Sequence, residues 1–91
     1  MSVTCTKTLE FHDEIETLIA EIDACLPACG DASDREHELQ QAVYRERRTQ
    51  ARSLFRMMAS HSNRRWAHMD GDAHRAREAL KLSREFFRRV L

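Results

Sequence analysis

The chain has 91 residues, 15 basic and 15 acidic side chains, 42% hydrophobic residues, two Gly and one Pro. That composition predicts one helical domain over 1–91; it is too apolar for a disordered tail and lacks the ~18 uncharged apolar residues in a row that a membrane span needs. The balanced charge conceals a polarity: residues 1–43 hold ten acids and two bases, residues 44–91 five acids and thirteen bases. A chain divided in this way pairs with itself, with a copy of itself or with a charged partner. The N-terminus has no basic region followed by an apolar core, so a cytoplasmic location is expected.

The first helix is expected over about 9–26. Phe11, Ile15, Leu18, Ile22 and Cys25 recur at alternating spacings of four and three, and Ile19 and Leu26 widen the stripe. That is the a/d seam of a coiled-coil-like helix. Thr8 is the expected cap, and Pro27 the expected stop. A connection over 27–33 follows. Ser33 and Glu36 then read as a capping box, each side chain satisfying an orphan backbone N–H.

The second helix is expected over 34–69, either continuous or broken near 60–63. Its apolar positions include Leu39, Val43, Tyr44, Leu54, Phe55, Met58, Trp66 and Met69; between Arg45 and Ser53 only Ala51 is apolar. Ser60, His61, Ser62 and Asn63 are modest helix formers. Asp70-Gly71-Asp72 reads as the next turn, Gly71 closing one helix and Asp72 capping another. The third helix is expected over 73–90, with a seam of Ala73, Ala76, Leu80, Ser83, Phe87 and Val90.

The expected fold is therefore all-α: an antiparallel helical hairpin, or three-helix architecture, with a long middle helix. An unbroken middle helix would be roughly 54 Å long, and each outer helix would cover only half of it. Two helices cannot bury a seam on both sides, so a homodimer completing a bundle is expected; a break near His61 would instead permit a four-helix monomer. On the hairpin, Glu10, Asp13, Glu14 and Glu16 are placed opposite Arg45, Arg47, Arg48 and Arg52, a pairing that sets register within or between chains.

No chemistry is legible beyond that. His61, His68 and His74 are weak metal candidates, since no His-x-x-x-His or Cys-x-x-Cys pair accompanies them. Cys5, Cys25 and Cys29 are odd in number, and Pro27 interrupts the helical face between the last two. With two Gly and no Gly-x-Ser-x-Gly or P-loop, neither catalysis nor a cofactor is expected. The expected function is a small interaction module, such as an adaptor, small chaperone or regulator, contacting an unnamed protein. The alternative is a nucleic-acid-associated regulator, in which Arg56, Arg64, Arg65, Arg84, Arg88 and Arg89 meet phosphates or an acidic partner and Trp66 stacks on a base. A metal- or thiol-based sensor is the third reading.

Overall fold

A computed structural model describes the backbone of residues 6–28, 35–60 and 63–90 and the side chains of 7–27, 35–60 and 69–89. Among the described residues there are three α-helices and no strand: α1 (Thr6–Ala28), α2 (Arg35–Ser60) and α3 (Asn63–Val90). All three pack against one another in a body of 49 × 18 × 16 Å.

The direction of each helix follows from its cross-links. Glu14 pairs with Arg77, and Glu21 with Arg84, so α1 and α3 run parallel at a constant offset. Along α1, Glu16 meets Arg52 and Asp23 meets Tyr44, so α2 runs antiparallel to α1. His37 lies against Phe87 and Arg47 reaches Ala79, so α2 is also antiparallel to α3. This is an up-down-up bundle, in which each helix buries its stripe against the other two.

The core comes from three stripes of different character. α1 contributes Phe11, Ile15, Leu18, Ile19 and Ile22, with Cys25 and Leu26 partly buried beside them. α3 contributes Met69, Ala73, Leu80, Ser83 and Phe87, with Ala76 partly buried. α2 contributes only every seventh residue: His37, Tyr44, Ala51 and Met58. Its second seam line, at Gln40, Arg47 and Leu54, is half-buried.

Several boundaries differ from expectation, each for a physical reason. α2 ends at Ser60, where a break near 60–63 was the expected alternative, so the continuous middle helix over 34–69 is not formed; Ser60 turns its hydroxyl back onto the Met57 carbonyl at 3.0 Å. The chain instead continues as helix through Asp70-Gly71-Asp72, where a turn was expected. Met69 and Ala73 extend the buried stripe of α3 across this tripeptide, and that burial outweighs the ~1 kcal/mol cost of an internal Gly. Gly71 therefore closes no helix, and Asp72 caps none. Pro27 lies inside the last turn of α1, and Thr8 is a buried core residue within the helix rather than its cap. Ser33, at the expected capping box, lies outside the described residues.

Candidate functional site

The acidic first helix lies in the groove between the two basic ones. Its apolar stripe is flanked by carboxylates seven residues apart on each edge, which puts each pair on one helical line. On the α3 edge, Glu14 meets Arg77 at 3.3 Å and Glu21 meets Arg84 at 2.9 Å; Arg88 is 3.5 Å from Glu21. On the α2 edge, Glu16 accepts two hydrogen bonds from Arg52, at 3.0 and 3.1 Å. The Arg52 hydrogen bond and charge hold the Glu16 carboxyl below its ordinary range, and Glu16 in turn raises Arg52.

Asp23 anchors a buried phenol. Tyr44 donates to Asp23 Oδ1 at 2.6 Å, with the Ile19 carbonyl 3.3 Å away. Arg48 reaches the same carboxylate at 3.4 Å and lies over the Tyr44 ring. Burial, then the neighbouring Asp23, pushes the Tyr44 hydroxyl well above its ordinary range.

The far end of the bundle holds His37, buried against Phe87 in an edge-on contact and beside Phe86. Gln41 Nε2 lies 3.0 Å from its Nε2, while Nδ1 has no hydrogen-bond partner among the described residues. At the other end His12 packs on Phe55, ring centroids 4.4 Å apart.

The expected charge register is redistributed. Arg52 and Glu16 come together, but Arg48 goes to Asp23 and Glu14 to α3. Among the described residues Arg47 meets no carboxylate; its Nη1 donates to Ser83 Oγ at 2.9 Å and to the Ala79 carbonyl at 3.2 Å. Asp13 lies near His12, and among the described residues Glu10 and Arg45 form no ion pair. Of the arginines expected to meet phosphates or an acidic partner, Arg84 and Arg88 face the α1 carboxylate Glu21; Arg77 likewise faces Glu14, and Arg75 pairs with Asp72. Arg56 and Arg89 are exposed and, among the described residues, without an ion pair. Cys5, Cys29, His61 and the side chains of Arg64, Arg65, Trp66 and His68 lie outside the described residues; Cys25 is a free, half-buried thiol and His74 is exposed. Among the described residues no three His, Cys, Asp or Glu side chains converge as a metal site.

What sequence reasoning missed is the face on the other side of the basic pair. Between α2 and α3, away from α1, runs an open groove of about 600 Å³, lined by Arg47, Gln50, Leu54, Met57, Arg75 and Ala79 among others. Met57 is 51% exposed; Leu39 and Leu82, on the same broad face by helical position, are 61% and 58% exposed. Val43 and Phe86 are half-buried there. The signal was present in the spacing of Leu39, Val43, Leu54 and Met57, offset from the core line of Tyr44, Ala51 and Met58. No protein-family model, curated protein or solved structure matches this chain.

Proposed function

We propose that this protein is a small, non-catalytic helical interaction module that works by protein–protein contact through the α2/α3 face, in the cytoplasm. One observation carries the reading. Of the two long grooves beside the α2/α3 pair, one is filled by α1 and the other is open, with exposed Leu39, Met57 and Leu82 on its broad face. Apolar side chains along a groove between helices are the chemistry that receives another helical surface. The polar groups within the groove support a structural role, since Arg47 is held by Ala79 and Ser83 and Arg75 by Asp72.

The homodimer expected from an unbroken middle helix loses that ground. The α1 seam is buried within the chain, so no second copy is needed to cover it. The nucleic-acid alternative is weakened by the engagement of Arg77, Arg84 and Arg88 with α1. Random-sequence DNA or RNA at about 50 mM salt, where phosphate-driven binding is strong, is expected to show no binding; tight binding there would restore that alternative.

The direct test places a photo-reactive amino acid at Met57, and separately at Lys7 on α1, in cells that make the protein. Cross-links to another protein chain are expected from Met57. Cross-links from Lys7 alone would move the interface to α1 and overturn the reading.

A further inference from the structure

We draw no further inference here: the strongest candidate, the open groove between α2 and α3 with exposed Leu39, Met57 and Leu82 on its broad face, is an unpartnered apolar surface, and nothing in the structure shows what covers it.

Discussion

The two sides of the α2/α3 pair are built on different principles. On the α1 side, an apolar stripe is bordered by carboxylates at seven-residue intervals, and each basic helix presents guanidinium groups at matching levels. On the open side, Arg47 is satisfied by a carbonyl and a hydroxyl, and Arg75 by its own helix neighbour. The first side therefore takes one acidic helix in one register. The second asks little of its occupant electrostatically and offers mainly shape and apolar area. Exposed ion pairs contribute only about 0–1 kcal/mol each, so the carboxylate rows select α1's register while the Phe11, Ile15 and Ile22 stripe holds it there.

The sharpest way to break this comparison uses two leucines two positions apart on α3. Leu80 is fully buried, whereas Leu82 is 58% exposed on the open side. Leu80→Ala is expected to cost about 2–5 kcal/mol in denaturant unfolding and Leu82→Ala under about 0.5 kcal/mol. Both are measured on the purified full chain. Equal losses would mean that the open side is core.

Next in size is Tyr44→Phe, expected to lose about 1.5–3 kcal/mol with the hydrogen bond to ionised Asp23. The pH dependence sharpens this. The folded-state Tyr44 hydroxyl titrates above its ordinary value of 10.0, so the protonated phenol stabilises the fold. That contribution is complete below the unfolded value and is lost as pH rises from there toward the folded one. Alkaline unfolding of the wild type should steepen above pH 10.0, and Tyr44→Phe should remove the added slope.

Smaller again is Gly71→Ala. Gly71 is an exposed helical residue, and an added Cβ would meet only the tip of Arg75, at 3.9 Å. The substitution is expected to raise stability by about 0.5–1 kcal/mol, whereas a left-handed turn at Asp70-Gly71-Asp72 would make it destabilising. Smallest is the Glu16–Arg52 coupling, expected at about 0.2–1 kcal/mol in a double-mutant cycle and shrinking with salt. Because the Glu16 carboxyl is held below its ordinary value of 4.5, this coupling is present above that pH and disappears as pH falls through the folded value.

What was legible in the sequence tracks how apolar each helix is. α1 declared its buried line almost completely, because Phe11, Ile15, Leu18, Ile19 and Ile22 form an unbroken stripe. The seam of α3 was equally plain from Ala73 to Phe87. Its start was misplaced because Asp-Gly-Asp is strong local punctuation; carrying the four-three spacing back from Ala73 to Met69 would have shown the stripe passing through it. α2 hid its role. Its apolar positions were legible, but the arginines at 45, 47 and 48 obscure the line that Tyr44, Ala51 and Met58 form; these three apolar residues are fully or almost fully buried. Its core line is sparse because α1 supplies most of the apolar volume there. The open face escaped notice because no periodicity shows which of two apolar lines on a helix is covered.

The parallel placement of α1 beside α3 governs the order in which the chain can mature. Their ion pairs join positions 63 apart, whereas α2 and α3 are joined directly by a short connection. Loop closure favours the two antiparallel neighbour pairs, α1/α2 and α2/α3, as the first to form, with the α1/α3 contact closing last. During synthesis α1 emerges first, yet the arginines that meet Glu14 and Glu21 are made near the end. The nascent acidic helix can meet Arg48 and Arg52 of α2 first, but the α3-facing edge of its apolar stripe stays uncovered until the end. That interval is when the chain is most exposed to mispairing, including exchange of α1 between two growing copies.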